Sequence, residues 1–441
     1  TKCLLKEPHA YQHYVNSAIA QLKSGRPAIS ASLLSRGHQI DRDAAEPLTN
    51  LSKLLLWSGS VGDAYNAAKM AQALSPNTEV VVTNSSNLAQ RAGDYRHAAQ
   101  YGRWAVLLNP MAKLARWNFA LIQLGVGQFS KGWMTFETRW NADGTPLISS
   151  RNERRRSFNR PRVSRLGECA GKRVLVWAEQ GVGDELMFGT MLKEFGGYCG
   201  GLLVEVDRRL LPLYRRSFGS EVQWIERGTE IDESRYDLQI PVGSLGLHLR
   251  PSAESFAGHG GGYLVADQER AQRLRASLGV SAEERLVGLS WRSASPKTGI
   301  RRSLGLLELI ESLRGAGVRF VSLQYGSVGE EIEEVNRRSG VRVLECAQVD
   351  NFADLDGLAS LLWACDEVVT VGNATAHLAG SIGQRAHVLL PYVAEWRWMH
   401  EGDCSVWYDS VRLYRQRERG QWQGVLQELS ECIARERTSG G

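Results

Sequence analysis

The sequence predicts a helical repeat array followed by two α/β halves. Three observations carry that expectation. Glycines recur every 34 residues through the first third of the chain. Apolar runs of strand length alternate with longer amphipathic stretches through the rest. Residues 370–380, TVGNATAHLAG, read as a strand that ends in a tight turn and opens a helix. Such a junction presents backbone N–H groups and a positive dipole end, a seat for phosphate.

The length of 441 residues calls for two or three domains. The segmentation expected is a repeat domain over 1–142, an arginine-rich linker over 143–170, a first α/β half over 171–268, and a second over 269–441. A hydrophobic fraction of 43% and a charged fraction of 23% fit a soluble globular protein. No apolar run is long enough to cross a bilayer, and the opening TKCLLKEPHA lacks a secretory pattern. The seven cysteines have no zinc-ligand spacing, so reduced thiols in the cytoplasm are expected. Residues 151–165 hold seven arginines against one glutamate. They read as a solvated linker or as a patch for phosphate or an acidic partner. Few aromatics interleave with them, which argues against nucleic acid.

Gly25, Gly59, Gly93 and Gly127 mark the repeat. Gly59 is followed by Ala64, Ala71 and Pro76, and Gly93 by Ala98, Ala105 and Pro110 at the same offsets. Glycine suits the turn between two helices, alanine lets them approach, and proline stops the second. The period and residue set resemble tetratricopeptide repeats. The outer copies depart, with Ser30, Gly37 and Arg42 in the first and Gly132 and Arg139 in the fourth, as capping repeats do. An array of this kind holds a peptide or protein on its concave face, or serves as architecture or a dimer contact. Asp41-Arg42-Asp43 has only the spelling of a metal-binding DxD.

Strands are expected at 173–177, 202–206, 222–225, 238–242 and 263–265 in the first half. In the second they are expected at 286–291, 319–323, 341–344, 367–371 and 387–390. Their alternation with helices implies parallel sheets, whose ligands bind beyond the carboxyl ends of the strands. Three strand ends carry chemistry. The first is Glu179-Gln180-Gly181-Val182-Gly183-Asp184, where the glycines admit a close backbone approach and Asp184 is a catalytic carboxylate or a helix N-cap. The second is Ser290-Trp291-Arg292, followed by Lys297 and Arg302, a hydroxyl and cations suited to phosphate or sugar, or else a solvated loop. The third is the phosphate seat, with Asn373, Thr375, the backbone of Ala374, Thr375, Ala376 and His377, and the His377 ring as a ligand contact. Asp354 and Asp356 read as helix-start residues, and no metal site is expected.

The segments WAEQGVGDELMFG, VGLSWRS, ATAHLAGSIG, LLPYVAEWRW and SVWYDSVRLYRQ, behind the repeats, resemble bacterial tetratricopeptide-repeat glycosyltransferases. These are relatives of heptosyltransferases and protein O-GlcNAc transferases. The resemblance covers nearly the whole chain. It implies a GT-B fold of two Rossmann-like halves, with a nucleotide-sugar donor on the second and transfer without an obligatory metal or other cofactor. It implies Asp184 as base, with Gly181 and Gly183 shaping its loop. Ser290, Arg292, Lys297 and Arg302 would meet the phosphates, and Asn373 to His377 would hold them from the helix end. Trp396 and Trp398 would line the donor pocket or pack as buried tryptophans.

The acceptor implied is a protein Ser or Thr hydroxyl, of flagellin or another surface protein, docked by the repeats. A glycan or lipid-linked acceptor and a non-catalytic scaffold are the alternatives. Gly372-Asn373 stands where relatives commonly carry an aspartate-threonine pair, which leaves the donor open. The sugar, the nucleotide base and the oligomeric state, homo-oligomer included, are open as well.

Overall fold

The structure is a computed structural model of the chain and describes residues 10–140, 158–281, 283–293, 299–315 and 317–439. The chain divides into two compact units, parted between residues 142 and 149. Lys297 and residues 143–157 of the arginine-rich linker lie outside the described residues.

Among the described residues the first unit shows four helix pairs: α1 (Tyr11–Lys23) with α2 (Pro27–Ile40), α3 (Ala45–Trp57) with α4 (Val61–Leu74), α5 (Glu79–Ala92) with α6 (Tyr95–Leu108), and α7 (Lys113–Gly125) with α8 (Phe129–Phe136). The four recurring glycines take φ of +72°, +90°, +82° and +79° in the turn inside each pair. Only glycine enters that region without a Cβ penalty, which is why the period is written in glycine. Ala64, Ala71, Ala98 and Ala105 are fully buried between helices.

The departing copies have local reasons. A Cβ on Gly132 would lie 2.8 Å from Leu124 Cδ2, so its helix approaches closer than alanine allows. Arg139 is buried and lies over the Phe136 and Trp140 rings while pairing with Glu137 at 2.7 Å. Asp41 accepts the N–H groups of Asp43 and Ala44 and closes a turn before α3.

The second unit holds two all-parallel sheets. The first has strand order β3-β2-β1-β4, with β1 Arg173–Trp177, β2 Gly201–Val206, β3 Val222–Glu226 and β4 Leu238–Pro241. Helices α9 (Val182–Gly189) and α10 (Leu211–Phe218) cross over between them, and α11 (Gln268–Ser277) leads into the second sheet. That sheet has order β10-β9-β8-β5-β6-β7. Its strands are β5 Arg285–Ser290, β6 Val318–Ser322, β7 Val343–Leu344, β8 Glu367–Val371, β9 Ala386–Leu390 and β10 Val411–Arg415. Helices α12 (Leu306–Leu313), α13 (Gly329–Ser339), α14 (Leu355–Ala364), α15 (Ala374–Ser381) and α16 (Gln423–Ser439) complete it. Leu289, Val369, Val371, Leu389 and Tyr414 of the sheet meet Leu309, Ile332 and Leu426 in its core.

Two expectations are corrected. Residues 263–265 form no strand. The N–H groups of Tyr263 and Leu264 both donate to Ser381 O at 2.9 Å, and the segment carries the chain from the first sheet to the second. The glycines before it let the backbone pass against Gly383, where a Cβ on Gly262 would lie 2.6 Å from the Gly383 nitrogen. β10, which pairs with β9, is an additional strand. Among the described residues no helix is long and apolar enough to cross a membrane.

Replacing Gly93 with alanine forces an L residue to φ +82° and costs roughly 1–2 kcal/mol. Urea unfolding followed by far-UV circular dichroism should show that loss. An unchanged midpoint would mean the turn relaxes freely.

Candidate functional site

Strand order reverses at β1 in the first sheet, where β2 lies on one side and β4 on the other. It reverses between β5 and β8 in the second. Crevices open beyond the carboxyl ends of strands at such points. All three suggestive strand ends of the sequence lie there.

At the second sheet, Asn373 caps α15 by accepting the Ala376 N–H at 3.3 Å. Its amide also donates to Ser290 Oγ at 2.9 Å and to Arg292 O at 3.2 Å. Ser290 Oγ in turn donates to Gln324 Oε1, which also takes the N–H groups of Trp291 and Arg292. One buried network therefore staples the ends of β5, β6 and β8. Ser290, Asn373, Thr375, Ala376 and His377 are all buried, and only Ala374 of the α15 start is half-exposed. The structure turns the side chains of Ser290 and Asn373 inward as framework, because each has its polar atoms engaged by the neighbouring strand end.

His377 is likewise not presented as a cation. Its ring stacks on Trp398 at 4.6 Å and its Nδ1 lies 3.2 Å from Tyr408 Oη. Burial, aided by the charges of Arg397 and Arg302, drives its pKa down to about 3. Arg302 spans Gly372 O at 2.9 Å and Glu395 at 3.1 Å. Arg292 is the more open cation, paired with Glu331 at 3.0 Å.

At the first sheet, Gly181 is the N-cap of α9 and Asp184 its third residue, so the aspartate is not the cap. Asp184 Oδ2 accepts the Gly181 N–H at 3.3 Å. Its Oδ1 takes Arg397 Nε at 2.6 Å, across from the second half. Arg397 also reaches Gln180 Oε1 at 3.3 Å and Glu395 at 3.6 Å, and lies 5.0 Å over the Trp396 ring. Burial works against the Arg397 charge, but Asp184 and Glu395 outweigh it and hold the guanidinium above its ordinary value. Trp396 is buried against Phe188 of α9, so it takes the packing role rather than lining an open pocket. Gly183 explains itself here: a Cβ would lie 3.1 Å from the His377 ring and 3.7 Å from Ala374 Cα. The starts of α9 and α15 therefore abut, and Asp184 stands beside that contact.

A cavity of about 850 Å³ opens beyond β6 and β7. Gln324, Tyr325, Cys346, Asn351 and Phe352 line it. Phe352 is 60% exposed, 6.3 Å from the Tyr325 ring, and Arg209 of the first half lies over it at 4.9 Å. Sequence reasoning passed over these residues because they fall in loops without periodicity. The only signal was an Asx turn, in which Asp350 accepts the N–H groups of Phe352 and Ala353.

Neither DxD-like pair gathers ligands. Asp354 caps α14 and pairs with Arg270, and Asp356 pairs with Arg216. Among the described residues no group of three or more His, Cys, Asp or Glu could hold a metal ion.

Gly372 precedes Asn373 at the turn that opens α15. A Cβ there would lie 2.9 Å from Trp398 Nε1 and 3.2 Å from Leu390 Cδ2. The buried indole fills the space an acidic side chain would need.

No protein-family model matches the chain. Protein FlbA of Caulobacter vibrioides is 31% identical over 333 residues, which cover 71% of this chain. The chain spans 54% of that protein's length. Among solved structures, a glycosyl transferase family 9 protein from Veillonella parvula aligns with 61% of this chain and 96% of its own, at a TM-score of 0.45 and 11% identity. MamA aligns with 31% of this chain and 80% of its own, at a TM-score of 0.29 and 17% identity. YrrB, a TPR protein with an unusual peptide-binding site, aligns with 31% of this chain and 71% of its own, at a TM-score of 0.29 and 15% identity.

Gly372→Asp should destabilise the fold by roughly 1–3 kcal/mol, because a side chain is forced against a packed indole. Urea unfolding measures it, and a neutral result would show that Trp398 yields readily.

The buried histidine gives a pH signature. Unfolding returns His377 from about 3 to its ordinary 6.5, so the unfolded chain binds a proton that the folded chain refuses. The stability contributed by neutral His377 is complete above pH 6.5 and is lost as pH falls toward 3, by up to ~1.4 kcal/mol per pH unit. His400, also held near 3 by burial, adds the same sign. Glu185 opposes both, since burial raises its carboxyl from 4.5 to about 7 and the folded chain protonates first in that window. His377→Asn should flatten the acid side of the stability profile measured by urea between pH 7.5 and 4.5. An unaltered slope would refute the buried neutral state.

Proposed function

We propose that the chain moves a sugar from a nucleotide-activated donor to a Ser or Thr hydroxyl of a protein. The observation that carries this reading is the meeting of two strand-end turns. A carboxylate at one, Asp184, stands beside the helix start at the other, with a nucleoside-sized cavity beyond the next strands. The nucleoside would lie in that cavity, its base against Phe352 and Tyr325. Its diphosphate would turn toward the start of α15, with Arg292, Lys297 or Arg302 as further cations.

Asp184 then takes the acceptor's proton as the hydroxyl oxygen bonds to the anomeric carbon. The bond from that carbon to the phosphate oxygen breaks, and the nucleoside diphosphate leaves toward the helix dipole. The helix pairs would dock the acceptor, with flagellin or another surface protein as the cytoplasmic substrate. Asn16, Asn50, Asn84 and Asn118 recur at the same 34-residue period. The buried Asn84 amide donates to Ser52 Oγ and that of Asn50 to Glu46 O, while the exposed Asn16 amide offers a donor and an acceptor of the kind an extended peptide backbone requires. Gly372 favours one rival reading, a scaffold that has lost turnover, because Trp398 fills the place of the aspartate common in relatives.

Calorimetric titration of the full chain with a panel of nucleoside diphosphates tests the donor site. Failure to bind every one of them overturns the transferase reading in favour of the scaffold. Given binding, Asp184→Asn should cut sugar transfer by ~10²–10⁴-fold and retain nucleoside diphosphate binding. Near-wild-type transfer would remove Asp184 from the mechanism.

A further inference from the structure

The ion pair between Asp184 and Arg397 leaves the proposed base engaged. Asp184 Oδ1 is occupied by the guanidinium at 2.6 Å, and Oδ2 by the Gly181 N–H at 3.3 Å. Each oxygen thus already carries a donor, and the negative charge that would draw the acceptor's proton is shared with the guanidinium. Yet Arg397 stands within reach of the place where a diphosphate would arrive. Asp184 follows Gly183, which packs on His377 and Ala374 at the start of α15. Arg397 precedes Trp398, whose ring covers His377. The Trp398 indole Nε1 is buried over Gly372 with no partner, a second donor at the turn that opens α15.

Local charge points the same way. Arg302 and Arg397 share Glu395, and Asp184 supplies the second negative charge, so two cations face two anions. A diphosphate entering this set competes with Asp184 for one guanidinium. Arg397 is the one whose exchange bears on the base, because it holds the Asp184 carboxylate, whereas Arg302 is tied to Glu395 and to the Gly372 carbonyl. The planar fork of arginine suits phosphate oxygens as well as carboxylate ones.

We propose that Arg397 is a donor-diphosphate ligand that restrains Asp184 until the donor arrives, so that exchange of the guanidinium from carboxylate to diphosphate frees the base. The exchange couples the two substrates in order. Without a donor, Asp184 stays paired. With one, Asp184 is released beside the sugar and can accept the acceptor's proton. After transfer, the diphosphate leaves, Asp184 gives its proton to solvent, and the pair re-forms. The coupling rests on the transferase reading for its purpose, but the exchange itself is a property of binding.

The test is the affinity of inorganic pyrophosphate and of nucleoside diphosphates for the full-length protein, by calorimetry. Competition between Asp184 and the anion means that Asp184→Asn should bind either ligand about fivefold tighter or better. Arg397→Gln should bind at least about tenfold more weakly. The double variant should bind no better than Arg397→Gln alone, since the gain passes through that guanidinium. Arg397→Lys keeps the charge without the fork and should fall between, which covers a glutamine variant that folds poorly. An Asp184→Asn affinity equal to or weaker than wild type overturns the exchange, as does a gain that survives in the double variant. Nucleoside diphosphate binding without the Asp184→Asn gain leaves the transferase reading standing and removes this one. Pyrophosphate binding with the gain, but no nucleoside diphosphate binding, does the reverse.

Discussion

The second unit depends on how closely the starts of α9 and α15 approach each other. Each helix follows a strand at a point where its sheet reverses order, and each would otherwise end in a solvent-filled crevice. Gly183 removes the side chain that would hold them apart, and Arg397 bridges the charge that remains. A guanidinium and a carboxylate taken largely out of water lose hydration, and their attraction offsets that loss only with good geometry and further partners. Gln180, Glu395 and the Trp396 face supply those partners for Arg397. Around the pair, Trp396 packs on Phe188, and Trp398 packs on His377.

That packing accounts for the glycine at position 372. The absence of a Cβ at Gly372 is what lets the Trp398 indole lie on the turn. Negative charge stands close by. Glu395 pairs with Arg302 and Asp184 with Arg397.

Much of this was legible in the sequence, for physical reasons. The 34-residue period shows because a left-handed turn admits little but glycine, and alanine marks each close helix crossing. Parallel strands are buried on both faces, so β1, β2, β5 and β8 appear as continuous apolar runs. β10 escaped because arginines interrupt it: Arg412 is exposed between buried Val411 and Leu413, and Arg415 follows buried Tyr414. Residues 263–265 misled because an apolar triplet after glycines satisfies its backbone through Ser381 rather than through a strand. At the site, Asp184 and the α15 turn could be read from strand ends. Arg397 could not, since its partner lies 213 positions away and its neighbours make the segment look aromatic. Nor could the framework role of Ser290 and Asn373, which depends on Gln324 reaching across from β6.

Two adjacent carboxylates on α9 show how the frame can hold while its contacts exchange. Successive helical residues point about 100° apart, so Asp184 and Glu185 serve different sides. Asp184 faces the second half. Glu185 is buried under the first sheet, accepting the Asp207 N–H and an Arg227 nitrogen, both at 2.8 Å. Arg227 also donates to Gln180 O, and so pins the turn that precedes the helix. Gln180 itself sits at φ +61°, a left-handed conformation for a residue with a side chain, held in place by these bonds. If Arg397 lets go of Asp184, the helix start keeps its second arginine and its strained turn. The aspartate is thereby released without being displaced, which is what a base requires when its partner is taken by another ligand.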